Sequence, residues 1–421
     1  MSTPSLLNVP YRLKAGTLYS QIPETGAGDF TVARVTSPTT NRSTRVNSLG
    51  FIELVNDNVA RLDYPLGGAV NGCPALLVEP VAINSALQSE NFTTTWSVSN
   101  ATPTANQATS PDNTLTADRI SITSNGGYIR QLLATSNSLT YTLSCFVKND
   151  AVASGDTFRL YFNNNVGGGN AAVANATINI NAGTVSAGSS GAGVSSVSAS
   201  IENYGNGWYR VRLTFTLGAS AGNASSEIGF EAPTATRTFF AWGAQLEIGS
   251  AVTSYIPTTT QAITRGEDLI QRLNVPSLIG QTEGTFYYEG EANFASSDLP
   301  FLNRSVTNAI LLAKNVSNQL AVYVYYGGVF LPVFATPSAI TGPFKIAVGY
   351  KQGSPGDTAV FVNGVQVGTT NTTSWAFTGA LNNVIVRTDG YIGGAKPYKV
   401  RALGVYPNRL SNSELIALTT P

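Results

Sequence analysis

The stretch Tyr209-Arg210-Val211-Arg212-Leu213-Thr214-Phe215-Thr216-Leu217 alternates apolar and polar side chains without interruption. Successive side chains of an extended strand point to opposite faces, so this pattern buries one face and leaves the other in water. It predicts a half-buried strand of an antiparallel sheet. The same alternation returns in residues 344–350, and the runs 358–362 and 365–368 flank Asn363-Gly364, a dipeptide typical of tight β-hairpins.

Helical periodicity is confined to residues 410–418, where Ser411 can cap a short helix and Glu414 can complete a capping box. The pattern of the remaining residues indicates strands and turns. We therefore predict an all-β protein with two consecutive antiparallel β-sandwiches of jelly-roll type, preceded by an irregular N-terminal attachment segment that is polar and only loosely periodic. The predicted boundaries are 1–80 for the attachment segment, 81–260 for the first sandwich and 261–421 for the second.

Composition excludes several classes of function. The chain has 24 Lys and Arg against 24 Asp and Glu and therefore carries no net charge, which argues against nucleic-acid binding. No apolar run is long enough to cross a membrane as a helix. Histidine is absent, which excludes a Ser-His-Asp or Cys-His catalytic site within the chain. The two cysteines, Cys73 and Cys145, belong to no CxxC pair, and whether they form a disulfide stays open.

Three motifs in fixed order resemble a signature of tailed-bacteriophage virion proteins: Ala241-Trp242-Gly243-Ala244-Gln245-Leu246-Glu247, Thr253-Ser254-Tyr255-Ile256-Pro257-Thr258 and Thr264-Arg265-Gly266-Glu267-Asp268. In those proteins the signature closes a carbohydrate-binding-module-like jelly roll and leads into a concanavalin- or laminin-G-like sandwich. Other segments that resemble these modules are 45–53, 84–96, 205–211, 350–364 and 405–415.

The resemblance implies a structural protein of the virion, in a tail fibre, head fibre or capsid decoration, that displays its sandwiches for adhesion to host-surface glycans. It implies synthesis in the bacterial host cytoplasm, contacts with other virion proteins through residues 1–80, and a homo-oligomer, since trimers are common among the resembled proteins. Two alternatives stay open. One is a purely architectural virion component, and the other is a polysaccharide-degrading tailspike.

A tailspike would need two facing carboxylates, and Glu289 and Glu291 lie on one face of a predicted strand. The same strand resembles the opening strand of a non-catalytic laminin-G-like domain, so we expect no enzyme activity.

Glycan sites usually combine an aromatic ring, which covers the C–H face of a sugar, with polar groups that bond its hydroxyls. Four residues are candidates. Trp96 lies among serines and threonines, although core packing is the more common role of such a ring. Tyr128 follows an Asn-Gly-Gly loop. Tyr323 and Tyr325 share one face of a strand, and they form an exposed pair if the valines of that strand point inward. Their partner could equally be a sugar or a protein.

Calcium is the metal that the resemblance implies, and we expect no other cofactor. A calcium site needs six to eight oxygen ligands. The candidates are Asp118, Asp156 and Asp357, none of which lies in a D-x-D-x-D loop. The alternative role for each is to cap a turn.

Overall fold

A computed structural model describes residues 2–66, 72–150, 156–164, 172–221, 225–234, 236–303, 307–331, 334–388 and 395–421. The all-β prediction is confirmed. All strand pairs in the described ranges are antiparallel, and they form two sandwiches with separate cores. No helix in this part of the chain is long and apolar enough to span a membrane.

The strands before residue 80 are short. They are β1 (Leu6–Asn8), β2 (Leu13–Lys14), β3 (Thr17–Leu18), β4 (Phe30–Ala33), β5 (Thr36–Ser37), β6 (Ser43–Val46), β7 (Ile52–Val55), β8 (Arg61–Asp63) and β9 (Ala75–Val78).

The first sandwich packs a six-stranded sheet in the order β11-β14-β21-β16-β17-β18 against a second in the order β12-β13-β22-β15-β20-β19. The short strand β10 (Ala82–Asn84) precedes these sheets. The strands of the two sheets are β11 (Ser97–Ser99), β12 (Ala101–Ala108), β13 (Ala117–Ile122), β14 (Gly127–Leu133), β15 (Thr140–Asn149), β16 (Phe158–Asn163), β17 (Val173–Asn179), β18 (Thr184–Ser190), β19 (Val194–Gly205), β20 (Trp208–Leu217), β21 (Ser226–Ala232) and β22 (Arg237–Ile248). Strand β20 confirms the predicted apolar face, because Val211, Leu213 and Phe215 are fully buried. On the opposite face Arg210 differs from the prediction, since it is buried as well. Cys145 is also buried in this core, whereas Cys73 is exposed, and both are free thiols.

The remaining elements follow in chain order. They are β23 (Ile263–Arg265), β24 (Leu269–Arg272), a 3-10 turn (Pro276–Leu278), β25 (Glu283–Glu291), β26 (Ser297–Leu302), β27 (Asn308–Lys314), β28 (Leu320–Tyr326), β29 (Val329–Phe330), β30 (Phe334–Ala335), β31 (Pro343–Lys351), β32 (Asp357–Val362), β33 (Val365–Gln366), β34 (Val384–Val386), β35 (Tyr398–Tyr406) and α1 (Asn412–Thr419).

Two local predictions hold in this second sandwich. Asn363 and Gly364 join β32 to β33 with φ angles of 49° and 81°, the left-handed values that a two-residue hairpin turn requires. Helix α1 begins with the predicted capping box, in which Ser411 and Glu414 bond each other's backbone N–H groups. The helix buries Leu415 in an apolar cluster on the outer side of the β25-β31-β32 sheet.

The N-terminal residues differ from the expected irregular segment, because they supply strands to the second sandwich. One sheet has the order β33-β32-β31-β25-β35-β9-β8, and β1 pairs with β35 on the same sheet. The opposite sheet has the order β2-β3-β4-β24-β34-β26-β27-β28-β29. Leu6, Phe30 and Val78 are buried in the core between these sheets. Strands of two to four residues contain too few alternations to be recognised in a sequence, which explains why the prediction missed them.

A buried charge cluster joins the N-terminal residues to the start of the second sandwich. It consists of Arg34, Arg61, Glu79, Arg265 and Asp268, and their side chains are almost completely buried. Arg34 Nη1 lies 2.8 Å from Asp268 Oδ1, and Arg61 Nη1 lies 2.7 Å from Glu79 Oε2. Arg61 also pairs with Asp268, and Arg265 pairs with Glu79. Burial raises the pKa of a carboxyl group, but the three guanidinium groups outweigh it and lower the pKa of Asp268 to about 2.

Both sandwiches meet at this cluster. A separate three-stranded sheet in the order β10-β23-β5 links the N-terminal residues to the two strands that lie just before the sandwiches in sequence. Arg265 and Asp268 belong to the phage-like motif 264–268, so this motif forms the junction of the fold. Gly266 lies within it, and a Cβ there would approach the carbonyl oxygen of Val35 to 2.9 Å.

Lys314 is buried in the second sandwich, and among the residues that the structure describes it has no acidic partner. Its Nζ donates to the carbonyl oxygens of Ala292 at 2.6 Å and Ile340 at 2.5 Å. Burial lowers the pKa of Lys314 to about 8, whereas an unfolded lysine titrates near 10.4. Between these values the unfolded chain binds more protons than the folded one, so the free energy of unfolding should rise with pH.

We expect this rise between about pH 8 and pH 9.5, with a slope that approaches roughly 1.4 kcal/mol per pH unit. Chemical denaturation at several pH values measures it. Lys314→Met removes the titrating group and should flatten the curve in this window. Equal slopes for the two proteins would show that Lys314 does not titrate there.

Candidate functional site

The outer face of the β11-β14-β21-β16 sheet carries polar and aromatic side chains around Tyr128, one of the predicted glycan-binding residues. Strand β14 points Ile129 into the core of the first sandwich and therefore turns Tyr128 and Arg130 outward. The strand register places Tyr128 beside Glu231 of β21, and Glu231 beside Arg159 of β16. A row of outward side chains thus crosses three strands.

A second row runs beside the first. Arg130 is opposite Gly229 of β21, and Gly229 is opposite Tyr161 of β16. Any Cβ at residue 229 would collide with the carbonyl oxygen of Ile129, so only glycine fits. The backbone of β14 occupies the position of that Cβ, so Arg130 and Tyr161 share this row with no side chain between them.

Two ion pairs organise this face. Arg130 pairs with Glu227, and Arg159 Nη1 lies 3.1 Å from Glu231 Oε1. The Arg130 guanidinium carbon also lies 4.6 Å from the centroid of the Tyr128 ring, a cation–π contact that orients the ring. The charges of the two arginines and the two glutamates cancel, so this face offers hydrogen-bond donors and acceptors without net charge.

Tyr161 lies among these charges and is 5% exposed. Burial raises the pKa of its hydroxyl, and the carboxylates of Glu227 and Glu231 raise it further. The hydroxyl therefore stays protonated at neutral pH and can donate a hydrogen bond. On the next strand, Asn175 and Thr177 continue the two rows with an amide and a second hydroxyl. Together these groups can bond a ligand that carries several hydroxyls, with the Tyr128 ring beside it.

Trp96 does not contribute to this face. It is 6% exposed, its ring centroid lies 4.8 Å from that of Phe92, and its Nε1 donates to the Gln88 carbonyl oxygen at 3.4 Å. The structure therefore corrects the glycan-binding candidate and supports core packing, because a ring enclosed by apolar neighbours cannot cover a sugar.

Tyr323 and Tyr325 share the outer face of β28, and Val322 and Val324 point into the core, as the alternation predicted. The prediction that these two rings form an exposed pair needs a correction. Both rings are only half-buried and pack on an apolar cluster of the same face: Phe301, Ala309, Leu311 and Ile385. The Tyr325 ring also lies 5.7 Å from Phe330 on β29. The two tyrosines therefore lie within an apolar patch on the second sandwich, apart from the polar groups around Tyr128.

The three calcium candidates lie on separate elements and already have partners. Asp118 accepts the backbone N–H groups of Phe92 at 2.7 Å and Asn106 at 3.0 Å. Asp156 pairs with Arg237 and Asp357 pairs with Arg409. Within the described ranges no three acidic or cysteine side chains could hold a metal ion together. These residues do not fit a calcium site, and we derive no metal-dependent step.

Glu289 and Glu291, the two carboxylates considered for glycoside hydrolysis, also have hydrogen-bond partners. Glu289 accepts a hydrogen bond from the Tyr287 hydroxyl at 3.0 Å. Glu291 accepts one from Asn293 and lines a cleft between the sandwiches.

Sequence reasoning singled out Tyr128 but missed the residues around it. These are Arg130, Arg159, Tyr161, Glu227 and Glu231. A signal was present, because residues 226–232 and 158–163 alternate polar and apolar side chains and thus point their charges to one face. Local patterns could not predict that strands β14, β21 and β16 are neighbours in one sheet.

The chain matches no protein-family model and no curated protein. Several solved structures are similar to about a third of it. The CBM40 module of the Ruminococcus gnavus IT-sialidase, bound to alpha2,3 sialyllactose, is 20% identical over 34% of this chain and 84% of its own, with a TM-score of 0.29. A SAP-like pentraxin from Limulus polyphemus is 13% identical over 32% of this chain and 68% of its own, with a TM-score of 0.26. The receptor-binding domain of a botulinum neurotoxin mosaic serotype C/D is 9% identical over 36% of this chain and 39% of its own, with a TM-score of 0.30. The proposals below rest on the residues of this chain.

Proposed function

We propose that this protein is an adhesion protein that binds glycans on the outer face of its first sandwich. The observation that carries the proposal is the pair of rows around Tyr128, with its two balanced ion pairs. Sugar hydroxyls both donate and accept, so a diol can bond a carboxylate and a guanidinium at once. The Tyr128 ring supplies the apolar surface for the C–H face of a sugar.

The setting that we propose is a phage virion, in a tail fibre, head fibre or decoration. The resemblance of residues 241–247, 253–258 and 264–268 to phage virion proteins supports this setting. In it, the exposed surface of residues 1–80 contacts other virion proteins and the chain assembles as a homo-oligomer, as a trimer in this proposal. Binding to the host would then use the face around Tyr128 while the junction keeps the two sandwiches together.

The test is binding of the full chain to an array of bacterial surface glycans. Tyr128→Ala removes the ring and should weaken the binding of a recognised glycan about tenfold or more. Tyr11→Ala is the control, because Tyr11 is exposed and lies in the N-terminal residues away from this face. Unchanged binding by the Tyr128 variant would contradict the assigned face.

The same assay separates the alternatives. A folded, assembled protein that binds no glycan favours the architectural role, whereas shortening of the glycan chains would reveal a tailspike. We expect a calcium chelator to leave binding unchanged, since Asp118, Asp156 and Asp357 have protein partners. Loss of binding in the chelator would instead establish a calcium requirement.

A further inference from the structure

A cleft of about 210 Å³ opens between the two sandwiches, on the side of the first sandwich opposite Tyr128. One wall consists of outward side chains of β19 and β20, including Glu202, Tyr204 and Arg212. The other wall consists of Asp63 on β8 and Lys399 on β35, with Glu291 at the end of β25. Both walls stand on strands within larger sheets, which holds their side chains in defined positions.

Each wall carries one ion pair within its own sandwich. Arg212 pairs with Glu202 on the first wall, and Lys399 Nζ lies 2.7 Å from Asp63 Oδ2 on the second. The lining residues include four cations (Arg45, Arg210, Arg212 and Lys399) and four anions (Asp63, Glu79, Glu202 and Glu291). The cleft therefore has no net charge and does not favour a cationic or anionic ligand.

Polar groups remain available beside an apolar surface. Glu291 Oε1 accepts from Asn293 Nδ2 at 2.6 Å, and within the described ranges Oε2 has no hydrogen-bond partner. The Tyr204 ring stands edge-on to Phe146, with centroids 4.8 Å apart, so its position is set by packing. Phe294 adds a second half-buried ring to the lining. Domain junctions with such mixed linings are common ligand sites.

We infer that this cleft is a second saccharide subsite, which takes one uncharged sugar unit. Sugar hydroxyls can bridge the paired cations and anions without disturbing their balance, and the rings of Tyr204 and Phe294 can cover the C–H face. The inference rests on the proposed glycan function but uses a different surface. A glycan-binding protein with both sites would hold two sugar units at once, and the avidity of its binding would rise without new contacts at the Tyr128 face.

The experiment uses the full chain and monosaccharides offered singly: glucose, galactose, mannose, rhamnose and N-acetylglucosamine. Saturation-transfer NMR and calorimetry report binding at millimolar concentration. In the Tyr128→Ala background, at least one of these sugars should still bind. Adding Glu291→Gln to that background should weaken its binding about tenfold, because a charged hydrogen bond is lost. Glu283→Gln is the matched control, since it makes the same change at the other end of β25, where Glu283 pairs with Lys351.

The outcomes separate the two sites. No monosaccharide binding in the Tyr128→Ala background, or equal binding with and without Glu291→Gln, overturns the second subsite and leaves the Tyr128 face intact. Array binding that is lost in Glu291→Gln but unchanged in Tyr128→Ala would instead overturn the assignment of the Tyr128 face. If Glu291→Gln lowers the unfolding midpoint, Asn293→Ala is used in its place. Asn293 is exposed, so this substitution should leave stability unchanged and weaken the binding of the same sugar.

Discussion

A chain that begins at residue 81 is expected to lose the second sandwich while the first remains folded. The deletion removes β1, β8 and β9 from one sheet and β2, β3 and β4 from the other. It takes Leu6, Phe30 and Val78 out of the core and exposes the apolar side chains that pack on them. The backbone groups of β35 and β24 that bond these strands also lose their partners.

The deletion also breaks the buried charge cluster. Asp268 and Arg265 stay in the chain, but Arg34, Arg61 and Glu79 are gone, so buried charges lose their counterions. These losses exceed the few kcal/mol by which a domain is stable. Circular dichroism and limited proteolysis should show a folded first sandwich and cleavage throughout residues 261–421.

A chain that lacks only residues 1–4 is the control, because the first pairing contact to β35 begins at Ser5. It should unfold at the same temperature as the full chain. A cooperative transition and full strand content in the chain from residue 81 would contradict the role of the N-terminal strands. For this reason, binding assays should use the full chain.

Asp268→Ala is expected to lower the free energy of unfolding by about 3–5 kcal/mol, the range found when one partner of a buried ion pair is removed. Asp268 bonds Arg34 and Arg61 and also accepts the backbone N–H of Glu79 at 2.9 Å. Its loss leaves the three buried guanidinium groups of the cluster with Glu79 as their one carboxylate. Urea denaturation measures the difference. A loss below about 1 kcal/mol would show that water or a rearrangement of the cluster compensates for the missing carboxylate.

Glu283→Ala serves as the matched control for this measurement. Its carboxylate lies 3.7 Å from Lys351 Nζ, and the two side chains are 36% and 57% exposed. Exposed pairs contribute about 0–1 kcal/mol, so the variant should be close to the parent protein.

The contribution of Asp268 should also depend on pH with a definite sign. The folded-state pKa of about 2 lies below the unfolded value of 3.8. The stabilisation is therefore complete above pH 4 or so and is lost as the pH falls toward 2. We expect the difference in stability between the Asp268→Ala variant and the parent protein to become smaller as the pH falls. A constant difference across this range would mean that the carboxylate titrates normally.

The sequence predicted what local patterns encode. Alternation in residues 209–217 defined β20 and its buried face, and Asn363-Gly364 defined a hairpin turn, because both depend on neighbouring residues only. Tyr128 was predicted on a loop after Asn-Gly-Gly, whereas the structure places it on β14, where it alternates with Ile129. Trp96 shows the limit, because polar neighbours in sequence do not reveal that its ring packs on Phe92.

The all-β class, the strand faces and the capped helix were thus determined by the sequence itself, because side-chain period and turn chemistry act over a few residues. Tertiary structure decided which strands are neighbours. Leu6 pairs with Val405 across nearly the whole chain, and Arg34 meets Asp268 in the same way. Such pairings form because segments distant in sequence bury their side chains together, and a local pattern cannot predict which segments do so. They determine both the N-terminal strands of the second sandwich and the neighbours of Tyr128.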